Sequence, residues 1–272
     1  FGYEPKPAFR IYDAEGRELP YQRLAQLNNR RNVRIYEVKF PEEYRSHAVT
    51  VSVPLLLPPL GYTTFVVRAE RSGQTTRHPF VPALATAENS MENEHLRVTV
   101  EANGTLTVLD KRSGETYRRL LTFEDCADIG DGWYHGQAVN DQIYVSTASA
   151  AAVALVHNGP QVATFRVRTS MAVPAELHFD DRMSRSAELV NLVIDSLVTL
   201  RAGVDRVEVE TTVHNVALDH RLRVLFPSGA AAATYLSDTP FDVVERPIAL
   251  DQDNHLFREL EVETKPQMSW TA

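Results

Sequence analysis

The sequence predicts an all-β protein built from antiparallel strands. Apolar and polar residues alternate with a period of two over several segments, which is typical of strands that bury one face. Turn-forming residues recur about every ten positions, as in sandwiches. Residues 19–31, LPYQRLAQLNNRR, form the best window with a helical period, and it is short. Helix is therefore expected to contribute little.

The individual strands follow from these patterns in chain order. Residues 96–100 and 106–110 flank Asn103-Gly104, the dipeptide most typical of a tight hairpin, and Ser113-Gly114 predicts the next turn. Residues 163–173 form a further strand. Residues 189–200, LVNLVIDSLVTL, could be a short helix by apolar content, but their β-branched residues favour a strand. In 204–215, VDRVEVETTVHN, the alternation is regular.

The distribution of strands and linker-like residues predicts two β domains. Residues 1–75 are few for an independent core, so we expect a small, partial β-sandwich. Residues 76–91 are polar, proline-bearing and without a period, which is typical of a linker. Residues 92–272 are expected to form a large β-sandwich.

Composition excludes several classes of protein. The 28 basic and 36 acidic residues are interspersed and give a net charge of −8, which argues against a nucleic-acid partner. No apolar run approaches the ~20 residues that cross a bilayer, so no membrane partner is expected. The only cysteine, Cys126, excludes an internal disulfide and agrees with a cytoplasmic location. Because the chain starts at Phe1 rather than methionine, we expect a piece of a longer protein.

The segment 124–137, EDCADIGDGWYHGQ, has the densest concentration of reactive side chains. It contains four carboxylates, at Glu124, Asp125, Asp128 and Asp131. Carboxylate catalysis needs two acids held about 5–10 Å apart. Acidic residues next to glycines also form ordinary Asx turns, and both interpretations stay open at this point.

No complete catalytic apparatus is expected within the chain. The nine histidines are scattered singly, whereas a zinc site needs three or four converging ligands. No G-x-S-x-G elbow or phosphate-binding loop is present. Residues 219–227, DHRLRVLFP, alternate charged and apolar side chains. Their charged face is interpreted as solvated, with an anionic or sugar-hydroxyl contact as the alternative.

Four segments taken together resemble glycoside hydrolase family 38, the α-mannosidases. They are residues 58–67, residues 92–135, residues 211–227 and residues 237–247, in the order seen in that family. The more specific motifs are Asn103-Gly104-Thr-Leu, followed by Asp110-Lys111, and the run Asp-His-Arg-Leu-Arg-Val from Asp219. The resemblance covers essentially the whole chain, and it falls on the β-rich part that follows the family's catalytic domain. It implies that the large sandwich is similar to the galactose-mutarotase supersandwich.

The resemblance also implies a substrate-binding wall. The usual family pattern is Gly-Asp-x-Tyr near the mouth of the active site, whereas here Gly130-Asp131-Gly132 is followed by Trp133 and then Tyr134. Asp131, Trp133 and Tyr134 are therefore the predicted substrate-binding residues, together with Arg246 of the VVERP motif. An aromatic face suits the apolar C–H surface of a pyranose. Alternatively, Trp133 plugs the edge of the sandwich.

By this resemblance, the chain is the β-rich part of a retaining α-mannosidase acting on terminal α-linked mannose. Catalytic residues and metal ligands are expected in the preceding N-terminal domain and none in this chain, and the cofactor implied is zinc or another divalent metal. The expected partners are mannosides or oligosaccharides and the protein's own catalytic domain, and a homo-oligomer is left open. The isolated chain is expected to be inactive. The alternative is a stand-alone carbohydrate-binding or structural β module.

Overall fold

The computed structural model describes residues 8–70, 81–131, 135–138, 140–257 and 261–272, and it divides into two compact units. The first unit, Phe1–Pro227, contains nineteen strands within its described part. They are β1 (Ala8–Tyr12), β2 (Glu18–Leu19), β3 (Gln22–Arg34), β4 (Glu42–Ser52), β5 (Val66–Glu70), β6 (Ala85–Ala87), β7 (Ser90–Glu92), β8 (Leu96–Val100), β9 (Leu106–Asp110), β10 (Thr116–Leu120), β11 (Thr122–Ala127), β12 (Tyr144–Val145), β13 (Ala151–Asn158), β14 (Val162–Pro174), β15 (Leu177–His178), β16 (Ser184–Arg185), β17 (Leu189–Arg201), β18 (Glu208–His214) and β19 (His220–Leu225).

All strand pairs are antiparallel, which confirms the predicted fold class. The largest sheets have the orders β10-β9-β8-β7-β6 and β13-β14-β17-β18. Smaller sheets are β2-β1-β5, β3-β4, β12-β11-β19 and β15-β16. Where the structure describes the chain, helix is limited to two single 3₁₀ turns, Ser146–Ala148 and Asn254–Leu256. No helix in these ranges is long and apolar enough to cross a membrane.

The core lies between the five-stranded and four-stranded sheets. Along β14 the buried and exposed side chains alternate, because successive residues of a strand point to opposite faces. The inward side chains of both sheets belong to one apolar cluster, whose fully buried members include Met91, Val98, Val100, Leu106, Phe165, Leu192, Ile194 and Leu200. The strands predicted at 163–173 and 189–200 form its centre, where β14 and β17 pair from Val162↔Arg201 to Pro174↔Leu189.

The second unit, Ser228–Ala272, is a small hairpin structure. Strands β20 (Thr234–Thr239) and β21 (Asp242–Pro247) pair in an antiparallel ladder. The C-terminal segment adds a bridge between Ser237 and Thr271. Among the apolar side chains that the structure describes in this unit, Phe241, Leu256 and Met268 are largely exposed.

The structure differs from the sequence-based expectations at two places. The window 19–31 becomes strand β3 rather than helix, because its backbone pairs with β4 and bulges near Asn29, which has a φ of 58°. Strands β6 and β7 lie at residues predicted as linker and complete the five-stranded sheet. The domain limits at 75 and 92 stay a prediction.

A bend at Leu121 transfers the chain from one sheet to another. Strand β10 pairs with β9, whereas β11, which begins one residue after the bend, pairs with β12 and β19. Leu121 has a φ of 61°, a conformation that non-glycine residues rarely adopt, and its side chain is buried. The hydroxyl of Thr122 donates to the carbonyl of Arg119 at 2.7 Å. The bend at Leu121 therefore places β11 in a different sheet from β10.

Gln22 joins the N-terminal strands to the sandwich. Its amide nitrogen donates to the carbonyl of Val162 at 2.8 Å, and its amide oxygen accepts from the backbone N–H groups of Gln161 and Val162. Gly159 packs so closely that a Cβ atom there would overlap this amide. The side chain is buried, so the three hydrogen bonds replace water for otherwise unpaired backbone groups.

Gln22→Ala is expected to lower the free energy of unfolding by about 1–3 kcal/mol, because it leaves buried backbone groups without partners. Gln26→Ala is the matched control, since Gln26 lies on the same strand and its amide donates to the exposed Asn28. Its effect should stay within about 0.5 kcal/mol. Urea denaturation of both variants measures the difference, and equal midpoints would contradict the role assigned to Gln22.

Candidate functional site

The segment predicted as a site begins on β11, whose central carboxylate is fully buried. Asp125 has no exposed surface. Its Oδ1 accepts from Nη2 of Arg185 at 2.6 Å, and its Oδ2 contacts Nδ1 of His220. The side chains of Arg185 and His220 are each 5% exposed, so all three groups are hidden from solvent. The Asp125 carboxylate is therefore closed to solvent and occupied by protein groups.

His220 is held on both sides of its ring. Its Nε2 lies 2.9 Å from Oδ1 of Asn215, and that oxygen also accepts from the N–H of Ala217 at 3.2 Å. Both ring nitrogens thus face side-chain oxygens, one from β11 and one from the residues before β19. The guanidinium of Arg185 also lies over the ring of Tyr144, 5.4 Å from its centroid. These contacts fasten β11, β16 and β19 together.

Two side chains of residues 219–227 pair with acids of β11, one on each face of the sheet. His220 is buried against Asp125, and Arg223 pairs with Glu124, its cross-strand partner. The interpretation of the charged side chains as solvated is wrong for His220, because its ring is buried beside Asp125. Glu124 and Asp125 are therefore occupied by internal ion pairs.

Asp128 closes the neck of the loop that follows β11. Its Oδ1 accepts from the backbone N–H groups of Gly130 and Gly136, both at 2.9 Å. The N–H of Ile129 donates to the carbonyl of Gly136 at 2.9 Å. Nδ1 of His135 lies 3.2 Å from the same Oδ1 without forming a hydrogen bond to it. We call Asp128, Ile129, Gly130, His135 and Gly136 the loop neck.

The loop neck requires glycine at position 136. A Cβ atom there would overlap the backbone nitrogen of Gly130 and lie 2.7 Å from the carbonyl carbon of Ile129. Burial acts to raise the pKa of the Asp128 carboxyl, but the N–H groups of Gly130 and Gly136 and the His135 ring outweigh it and hold the pKa below its ordinary value. Asp128 is therefore a charged acceptor at neutral pH.

The four predicted substrate-binding residues fall in different places. Asp131 directly follows the neck and is exposed. Trp133 and Tyr134 lie outside the described residues. Arg246 is half-buried on β21 of the second unit, opposite Tyr235, and its Nε is buried without a hydrogen-bond partner in the described part of the chain. Their roles stay predictions.

The described residues do not fit a metal centre. They contain no group of three or more His, Cys, Asp and Glu side chains arranged to hold an ion. A partly open cleft of about 320 Å³ occurs elsewhere in the first unit, lined mostly by apolar side chains such as Leu96, Val207 and Phe226. It contains none of the acids of the 124–137 segment, so it is distinct from the candidate site.

Comparison with known proteins identifies the family. The family model described as "Glycosyl hydrolases family 38 C-terminal domain" matches residues 91–270. The chain belongs to glycoside hydrolase family 38. This confirms the resemblance seen in the sequence and the assignment to the C-terminal region.

Two kinds of relative resemble this family 38 chain. A protein of Halalkalibacterium halodurans described as "Putative mannosylglycerate hydrolase" is 29% identical over 204 residues, which is 69% of this chain and 22% of that protein. An α-mannosidase structure from Enterococcus faecalis V583 has a TM-score of 0.79 and 27% identity, covering 92% of this chain and 29% of that one. An E. faecalis family 38 structure has a TM-score of 0.75 and 28% identity, with coverages of 90% and 30%. The chain thus spans less than a third of each relative.

Asp125→Ala is expected to lower the free energy of unfolding by about 3–5 kcal/mol, because Arg185 loses its buried counter-ion. Asp195→Ala is the matched control. Asp195 also joins two basic side chains, Arg166 and Arg168, but both guanidinium groups are about half exposed and stay solvated, so its loss should cost less than that of Asp125. Equal losses in chemical denaturation would show that burial of the Asp125 cluster has no energetic consequence.

The loop neck is expected to be insensitive to pH from 7 to about 5 and to open below about pH 4. Because the folded state lowers the pKa of Asp128, the stabilisation is complete above the unfolded value near 3.9 and is lost as pH falls through the folded value. Hydrogen-exchange protection factors of the Gly130 and Gly136 amides measure this opening. Asp128→Asn serves as the control without a titrating carboxyl. Loss of amide protection between pH 5 and 7 in the unmodified chain would contradict the expected pH dependence.

Proposed function

We propose that this chain is the C-terminal β-rich part of a retaining α-mannosidase that hydrolyses terminal α-linked mannose. The observation that carries the proposal is the family 38 match over residues 91–270, together with the likeness to an α-mannosidase structure. Retention requires two carboxyl groups about 5–5.5 Å apart, one as nucleophile and one as acid and base. In this chain Glu124, Asp125 and Asp128 are all held by internal partners. This supports placing both catalytic carboxylates in the part of the polypeptide that the relatives have beyond this chain.

The role proposed for this chain is to pack on the catalytic domain and supply one wall of the sugar site. Asp131 would accept hydrogen bonds from mannose hydroxyls, and Trp133 or Tyr134 would cover the apolar face of the ring. Arg246 is a further candidate contact. Zinc, or another divalent metal, would be held by the catalytic domain.

A second substrate is favoured by one specific observation. The relative from Halalkalibacterium halodurans is described as acting on mannosylglycerate, in which mannose is joined to an anionic group. The two substrates differ in the leaving group, so the chemistry at the anomeric carbon is the same. A stand-alone carbohydrate-binding or structural module remains the alternative from a different class.

The full-length polypeptide is expected to hydrolyse 4-nitrophenyl α-D-mannoside, mannosylglycerate or both, releasing α-mannose first, as proton NMR of the anomeric signal detects. Residues 1–272 alone should be inactive, because a single wall supplies neither nucleophile nor acid. The isolated chain should also bind free mannose poorly, since most hydroxyls would still face water. Hydrolysis by the isolated chain, or a full-length protein inactive on both substrates, would contradict the proposal.

Single substitutions in the full-length polypeptide test the wall. Asp131→Ala should raise KM about tenfold or more, the effect of one hydrogen bond to a charged group. Trp133→Ala, Tyr134→Ala and Arg246→Ala are compared in the same assay, each with a thermal melt. Unchanged kinetics with a large fall in the melting temperature would assign Trp133 to packing instead.

A further inference from the structure

We propose that Asp128 is a positioning residue for the sugar site, acting through the loop neck on Asp131. The proposal rests on the proposed function, because it assumes that the loop after β11 faces the substrate. Asp128 itself does not contact sugar in this scheme. Its Oδ1 already accepts from the N–H groups of Gly130 and Gly136, and the His135 ring lies beside it.

The geometry of the neck fixes residues 128–130 relative to residues 135 and 136. The incoming limb is residues 128–130 and the outgoing limb is residues 135 and 136. The Asp128 carboxylate joins the two limbs, and the Ile129–Gly136 hydrogen bond of 2.9 Å lies beside it. Asp131 is one residue beyond this double closure, so few backbone angles separate its carboxylate from a fixed point. Opening the neck would release both limbs at once.

The loop neck also packs on a cluster of apolar side chains, which distinguishes it from an ordinary exposed turn. Ile129, on the incoming limb, and the buried Ala138, after the outgoing limb, both belong to a small apolar cluster with Ala127 and Leu177. The N–H of Asp128 donates to the carbonyl of Asp219 at 2.9 Å. The limbs therefore have a defined position relative to β11 and to the residue preceding β19.

Asp13 makes the same local contacts without such an apolar cluster, and it is the matched control. Its Oδ1 accepts from the N–H groups of Glu15 and Arg17 at 3.1 and 2.8 Å, and its Oδ2 pairs with the Arg17 side chain. Glu15, Gly16 and Arg17 are exposed, and a Cβ atom at Gly16 would meet nothing within 4 Å. An effect at Asp128 that is absent at Asp13 is therefore due to the loop rather than to loss of an Asx turn.

The experiment measures kcat and KM of the full-length polypeptide with 4-nitrophenyl α-D-mannoside and mannosylglycerate, alongside thermal melts. Asp128→Ala should raise KM by about tenfold to a hundredfold, as small displacements of contact groups do. Gly136→Ala opens the neck by a different route, through overlap with Gly130, and should give the same change. Asp128→Asn should give a smaller rise, because its amide oxygen still accepts a backbone N–H. Asp13→Ala should leave both constants at the wild-type values.

The outcomes separate this inference from the function on which it rests. A full-length wild type inactive on both substrates overturns the proposed function, and the inference with it. An active wild type whose Asp128→Asn and Gly136→Ala variants keep KM within about twofold overturns the inference alone. A lower melting temperature without a change in KM assigns Asp128 to stability only, which also overturns it. If the Asp128→Ala variant does not fold, the KM values of the Asp128→Asn and Gly136→Ala variants decide whether the inference holds.

Discussion

The buried carboxylate of Asp125 is the contact on which the polar end of the sandwich depends. It joins three segments that are distant in sequence, since Arg185 and His220 lie 60 and 95 residues away along the chain. A carboxylate without any exposed surface is tolerated only when its oxygens are paired, and here a guanidinium and an imidazole do this. The pairing fixes β11 against β16 and β19. Because the loop neck begins three residues later, its position follows from this cluster.

Strand periodicity was enough to predict the frame of the molecule but not its polar contacts. The alternation in 163–173 and 189–200 predicts β14 and β17 because one side of each strand must face an apolar core. Asn103-Gly104 predicts the β8–β9 hairpin, and Gly104 has a φ of 83°. Residues 19–31 mislead because antiparallel pairing with the next strand, β4, together with the Gln22 contacts, outweighs a weak helical period. The partners of Asp125 depend on the tertiary fold, so no local pattern indicated them.

The same limit applies to the acidic segment 124–137. Its composition is compatible with a catalytic pair or with a turn, and the structure assigns its members different environments. Glu124 and Asp125 contact basic side chains across strands, Asp128 binds backbone N–H groups, and Asp131 is exposed. The sequence does carry one signal for the neck: Asp128 is followed by glycines at 130 and 136, the two positions whose backbones come together. The sequence does not show that the two glycines approach each other. Their spacing alone therefore does not distinguish a closed neck from two separate turns.

Asp128 and Asp13 show why a local motif does not determine a role. Each carboxylate accepts two backbone N–H groups and faces a basic side chain, and in each case those partners outweigh burial and lower the pKa of the carboxyl. They differ in what lies beneath the turn. The turn at Asp13 closes a hairpin at the surface, whereas the limbs at Asp128 rest on Ile129 and Ala138 within an apolar cluster. A hydrogen-bonded turn can transmit a position only if its ends are themselves fixed, because otherwise turn and loop move together. Packing under the neck, rather than the acidic residue alone, thus fixes the segment that follows β11.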